Sequence, residues 1–198
     1  MNTPMNLSGA RALAVGAGLT LALAMGAAPT MAEVRVGTTD VTVKADISNV
    51  SFKAPTVIPF AAQADGTLVG PSDKTITIDN LSAYGIHVTN MKVTAKNDWT
   101  IVADAKTGSA QNSIDFKVGP DKAEKDASSA TQTTGLDLSK DVSFDMKYKG
   151  IADGTDKIKL NVSGHVARVT RDIYHAGGTG DQVASITWTV EPGAHATS

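Results

Sequence analysis

Asp181-Gln182-Val183-Ala184-Ser185-Ile186-Thr187-Trp188-Thr189-Val190 is the stretch on which the fold turns. From Ala184 onward every second residue is small or apolar and the residues between are Ser or Thr, the period of a half-buried strand. The same beat recurs upstream at Val41, Val43, Ala45 and Ile47, at Ile76 and Ile78, and at Trp99, Ile101 and Ala103. It continues through Ile114, Phe116 and Val118, then Val142, Phe144, Met146 and Tyr148. Ile158, Leu160, Val162, Gly164 and Val166 make the longest regular run. Ile86 and Val88 are followed by Met91 and Val93 on the opposite parity, which predicts a bulge near Thr89-Asn90.

No window carries a helical stripe. Gly70-Pro71-Ser72-Asp73, Ala152-Asp153-Gly154-Thr155 and the glycine-rich run His175 to Gly180 are turn chemistry. About eight to nine short strands between such turns predict an all-β antiparallel sandwich, with a closed barrel as the lesser alternative. One long polar stretch, Gly119 to Gly135, reads as a linker or a projecting mobile loop. Too few strands follow it to build a second domain, so the loop is the expectation.

The first 32 residues read differently. Arg11 is their only charge, Ala12 to Ala28 is apolar and rich in Gly and Ala, and Thr30-Met31-Ala32 places small residues before Glu33. This is the pattern of a secretory signal peptide, residues 1–32, cleaved before a single domain, residues 33–198. A retained anchor is the alternative, but a stretch of about 17 soft residues sits at the lower edge of a bilayer span. The expectation is an exported protein, secreted and held at the cell surface or cell wall, with no membrane span after cleavage.

Residues 33–198 hold all 20 acidic side chains and every basic one but Arg11, so the net charge is negative and no basic stripe exists. Nucleic-acid binding has no electrostatic support. The absence of cysteine rules out disulfides and lipidated cysteine, so burial of apolar surface must hold the fold. The terminal Glu191 to Ser198 carries no apolar tail or sorting motif, which predicts non-covalent attachment.

The chain has two tryptophans, and each opens a Trp-Thr-aliphatic tripeptide: Trp99-Thr100-Ile101 and Trp188-Thr189-Val190. A buried indole needs a partner for its N–H. Burial in the core is the default role for such residues, and an exposed platform for a glycan or a partner strand is the functional one.

The end of the chain, Asp181 to Val190, resembles the C-terminal signature of the WxL domain of Gram-positive surface proteins, a strand ending in Ile-Thr-Trp-x-Leu. Val88-Thr89-Asn90-Met91-Lys92-Val93, leading through Asn97-Asp98 into Trp99-Thr100-Ile101, is similar to the family's first motif. Ile101 and Val190 stand where the family has Leu. Ala54 to Phe60 followed by Asp65-Gly66-Thr67 also resembles Gram-positive surface and fibre modules. The resemblance implies a β-rich domain attached non-covalently to peptidoglycan or to partner surface proteins. It assigns attachment to Trp99, Ile101, Trp188 and Val190.

Other chemistry is not readable. His87, His165, His175 and His195 lack metal-ligand spacing. His87 and His165 fall on the polar parity of their strands, which predicts solvated surface, and His195 falls in a frayed tail. Ser163-Gly164-His165 is strand sequence, with no nucleophile elbow. Asp153-Gly154-Thr155-Asp156 lacks the ligand spread of a calcium loop, and Asp121 to Asp126 is interleaved with lysines, so turn and solvated loop are preferred to calcium. The expectation is a protein that is not an enzyme and has no cofactor and no metal. Glu33 to Gly37 is either an edge strand or an arm that adds to a neighbour's sheet and builds a fibre or biofilm matrix by self-association.

Overall fold

The structure is a computed structural model that describes residues 49–71, 76–173 and 180–195. Residues 1–48, with the signal-peptide reading, Glu33 to Gly37 and the Val41–Ile47 alternation, lie outside the described residues, as do His175 and parts of two of the turns. The described residues belong to one compact unit. They form thirteen strand segments and two short 3-10 turns, with no α-helix among them. No helix among the described residues is long and apolar enough to cross a membrane.

The strands are β1 (Phe52–Lys53), β2 (Ala61–Ala62), β3 (Thr67–Val69), β4 (Thr77–Asn80), β5 (Ile86–Ala95), β6 (Thr100–Ile101) and β7 (Ser113–Gly119). They continue as β8 (Lys125–Asp126), β9 (Leu136–Asp137), β10 (Asp145–Met146), β11 (Lys157–Lys159), β12 (Asn161–Ala167) and β13 (Ala184–Pro192). Six of the thirteen are two residues long, so the seven longer ones carry the sheets that the alternation announced.

Three sheets result: β1-β4-β11, then β10-β5-β13 with β9 beside β5, then β2-β3-β12-β7-β6 with β8 beside β7. Pairing is antiparallel except between β6 and β7. This is an all-β, sandwich-like fold whose sheets share one core. Ile78 and Ile158 come from the first sheet, Ile86, Val88, Met91 and Val93 from the second, and Ile114, Phe116 and Val118 from the third.

The bulge falls where parity predicts. Val190 pairs with Val88 and Thr189 with Asn90, leaving Thr89 as the extra residue of β5. That insertion keeps Ile86, Val88, Met91 and Val93 on one buried face despite the change of parity.

The longest alternating run is two strands. β11 pairs with β4, the Leu160 N–H donates to the Ile76 carbonyl at 2.8 Å, and β12 then joins β3 and β7. Period two survives this change of sheet because both halves face the same core. In β12, Gly164 is required by closeness: a Cβ there would lie 2.2 Å from the Asp115 carbonyl oxygen.

Two expectations change. Val142 to Tyr148 is not one strand. Asp141 caps a 3-10 turn, Val142–Phe144, by accepting the Ser143 N–H, and only Asp145–Met146 is extended. Phe144 and Met146 are buried while Val142 and Tyr148 are exposed.

Nor does the middle of Gly119 to Gly135 project, although Thr131 to Thr134 are exposed. It contains β8 and the 3-10 turn Ala127–Ala130, capped by Asp126, with Ala127 and Ala130 fully buried against the core. Small alanines seat this polar stretch where larger apolar residues would have signalled burial.

Candidate functional site

The chain leaves β5 through a tight turn. Asn97 and Asp98 both take positive φ, 50° and 59°, which these residue types tolerate better than most, and the Trp99 N–H returns to the Lys96 carbonyl at 3.0 Å. The turn drives Trp99 into the core with 5% of its surface exposed. Its indole N–H donates to Asp181 Oδ2 at 2.9 Å. Asn97 donates to Asp181 Oδ1 at 2.9 Å, and Arg171 donates from Nε to Oδ2 at 2.5 Å. Arg171 also reaches Asp98, at 3.7 Å. The Trp99 hydrogen bond first, and Arg171 next, hold the Asp181 carboxyl down at about 2. This cluster pins the β5–β6 turn to the segment that enters β13.

Neither Asp181 nor Arg171 emerged as a functional candidate from the sequence. Asp181 opens the decisive stretch, but a carboxylate contacting an indole 82 residues away leaves no periodic mark.

Trp188 sits otherwise. It lies on β13 opposite Met91, is half-buried, and packs its ring 6.5 Å from that of Phe144 at an interplanar angle of 35°. Lys125 also approaches Phe144: its Nζ lies 5.9 Å from the ring centroid and pairs with Asp141 at 2.6 Å. Val190, two residues on, is half-buried opposite Val88. Ile101 is half-buried on β6, opposite Ile114.

The four attachment candidates therefore divide. Trp99 and Ile101 adjoin the β6–β7 pair, and Trp188 and Val190 belong to β13 in another sheet. Trp99 belongs to the common core and the other three pack against it. Among the described residues the two indoles make no ring contact with each other, so the geometry does not unite them in one platform.

Among the described strands β13 is the longest at a sheet edge. Among the described residues its ladder partner is β5 alone. The Val183 carbonyl and the Gly193 N–H both point toward β5, bonding Lys96 and Gly85. Strand alternation then turns the backbone groups of Ala184, Ile186, Trp188 and Val190 outward. From Ala184 to Val190 the edge carries no charge and no proline.

The histidines are placed differently from expectation. His87 and His165 are buried, not solvated. His87 Nδ1 lies 3.1 Å from the Gly193 carbonyl, where the end of the chain folds over the sheet. His165 lies beneath the Gly66 turn. Nor is His195 frayed: its N–H donates to Asp145 Oδ1 at 3.1 Å and its ring Nδ1 lies 2.6 Å from Oδ2. Polar parity fails here because terminal and turn segments cover the outer faces.

The acidic clusters serve their own turns. Asp153 accepts from the Thr155 N–H and hydroxyl, and Asp156 from the Gly150 N–H. Asp121 and Glu124 both accept from Asn161. Among the described residues no three His, Asp or Glu side chains are grouped to hold a metal. Comparison with known proteins found no matching family, no matching curated protein and no matching solved structure.

Proposed function

We propose that this is an exported, non-catalytic surface module of the WxL type, attaching non-covalently to peptidoglycan or to a partner surface protein. Edge strand β13 carries the reading. It presents a half-buried indole, Trp188, beside Val190 at a sheet margin, backed by Phe144. An indole there offers an apolar flank to a sugar ring or a partner side chain and keeps its other flank in the core. Trp99 has a supporting role in this reading: its bond to Asp181 fixes the segment from which β13 starts. The test is co-sedimentation of the exported chain with isolated peptidoglycan, for wild type and Trp188→Ala, with thermal unfolding followed in parallel. A folded Trp188→Ala chain that pellets as fully as wild type removes Trp188 from the attachment site.

The outer edge of β13 favours a second reading, a subunit of an extracellular fibre or matrix assembled by strand addition. From Ala184 to Val190 the extended backbone lacks the guards that keep sheet edges apart, and β13 carries a charge and a proline only at its end, Glu191-Pro192. The outward N–H and C=O groups of that edge match what an added strand supplies.

A further inference from the structure

We propose that the outer edge of β13 is the acceptor for residues Val41–Ile47 of a second copy of this chain, added as an antiparallel strand. The inference rests on the strand-addition reading. It goes beyond it by naming donor, acceptor and direction.

The acceptor has a defined length and two-sided character. Ala184, Ile186, Trp188 and Val190 lean on the core and stay partly exposed, while Thr187, Thr189 and Glu191 face water. A strand beside it must be apolar on one parity and polar on the other, over about seven residues. Val41-Thr42-Val43-Lys44-Ala45-Asp46-Ile47 has that pattern, without glycine or proline. With Val43 opposite Trp188, Val41, Ala45 and Ile47 fall beside Val190, Ile186 and Ala184. Thr42, Lys44 and Asp46 then fall beside Thr189, Thr187 and Ser185. Every pair matches by face, and the added apolar residues extend the core past the half-buried indole.

Chain length selects a second copy for this direction. Ser51 is tied by its carbonyl to the Leu81 N–H, Asn80 closes onto Tyr84, and Gly85 accepts from Gly193. Ser51 therefore lies toward the C-terminal end of β13. An antiparallel strand would put Ile47 at the Ala184 end, about 20 Å or more away along the strand. The link from Ile47 to Ser51 spans at most about 14 Å. A link this short would let the chain's own segment meet β13 only in the parallel sense, the slightly less stable ladder per residue. Donation from a second copy leaves one edge and one donor free at the ends, so the contact is head-to-tail and extends into a filament.

The test uses the exported chain, light scattering after size exclusion at rising concentration, and two substitutions. Val43→Pro disables the donor. Ile186→Pro removes an outward N–H from the acceptor without touching the β5 ladder, and Ala184→Pro replaces it should the first fail to fold. Wild type is expected to grow in mass with concentration while each variant stays a single chain. An equimolar mixture of Val43→Pro and Ile186→Pro should give a two-chain particle that grows no further, one carrying the intact edge and the other the intact donor. Assembly by Val43→Pro but not by Ile186→Pro leaves the edge in use and overturns the donor. Assembly by both variants overturns donor and edge together. A wild type that stays a single chain at every concentration overturns the proposal in favour of its own segment covering the edge.

Discussion

The indole N–H of Trp99 donates to the carboxylate of Asp181, 2.9 Å away, and Arg171 and Asn97 close on the same two oxygens. The Asp181 side chain is 8% exposed, so these donors rather than water stabilise its charge. The carboxyl is held down at about 2, against about 3.9 for an aspartate in an unfolded chain. A depressed carboxyl stabilises the fold above the unfolded value and loses that contribution as pH falls through the folded value. Urea midpoints of wild type should therefore fall between about pH 4 and pH 2, with a contribution on the order of 1–2 kcal/mol from this group. Asp181→Asn should be less stable at pH 6 and show a shallower acid limb. An unchanged acid limb would mean the unfolded chain holds this carboxylate equally low.

The two indoles should behave unequally. Trp99 is nearly sealed and hydrogen-bonded, whereas Trp188 keeps one flank toward water. In Trp188→Phe the remaining fluorescence should resist iodide quenching, and in Trp99→Phe it should be quenched readily. Trp99→Ala should cost about 3–5 kcal/mol, the range for a core aromatic, and Trp188→Ala less. Equal quenching in the two single-indole chains would contradict this assignment.

Periodicity made the main sheets legible because a strand with one face on the core must alternate. The Thr89 bulge was legible for the same reason, since an extra residue reverses parity in mid-strand. What the pattern could not carry was the sheet to which a strand belongs: Ile158 and Val166 share one beat but lie in different sheets. Nor could it reveal burial imposed from outside, as at His87 under the chain end. At the candidate site the tryptophans stood out by rarity and frame, while Asp181 and Arg171 are fixed by tertiary contacts alone.

Ala127 and Ala130 show that the middle of Gly119 to Gly135 is packed, since both are fully buried in the common core. Ala127→Leu should therefore overfill its site and destabilise by about 1–3 kcal/mol. In a projecting loop the same change would be neutral. Limited proteolysis checks this independently: Lys122 and Lys125 should be cut slowly in wild type and quickly in Ala127→Leu. A neutral, protease-sensitive Ala127→Leu chain would restore the projecting loop.

Two glycines separate crowding from backbone conformation. Gly164 has ordinary φ, but an added Cβ would meet the Asp115 carbonyl oxygen at 2.2 Å and the Phe116 Cα at 2.9 Å. Both are backbone atoms that only a shift of β7 can move, and Phe116 also packs its ring 6.1 Å from Phe60. Gly154 has φ of +71° and nothing within 4 Å of an added Cβ, so alanine there meets strain without a clash. Gly154→Ala should cost about 1–2 kcal/mol, the penalty of a left-handed residue. Gly164→Ala should cost at least as much as overpacking, about 1–3 kcal/mol, and should also shift the Phe116 ring resonances. Chemical denaturation of both variants with NMR of the aromatic region decides it. A neutral Gly164→Ala with unmoved Phe116 signals would mean that β7 and β12 are spaced more widely than their register requires.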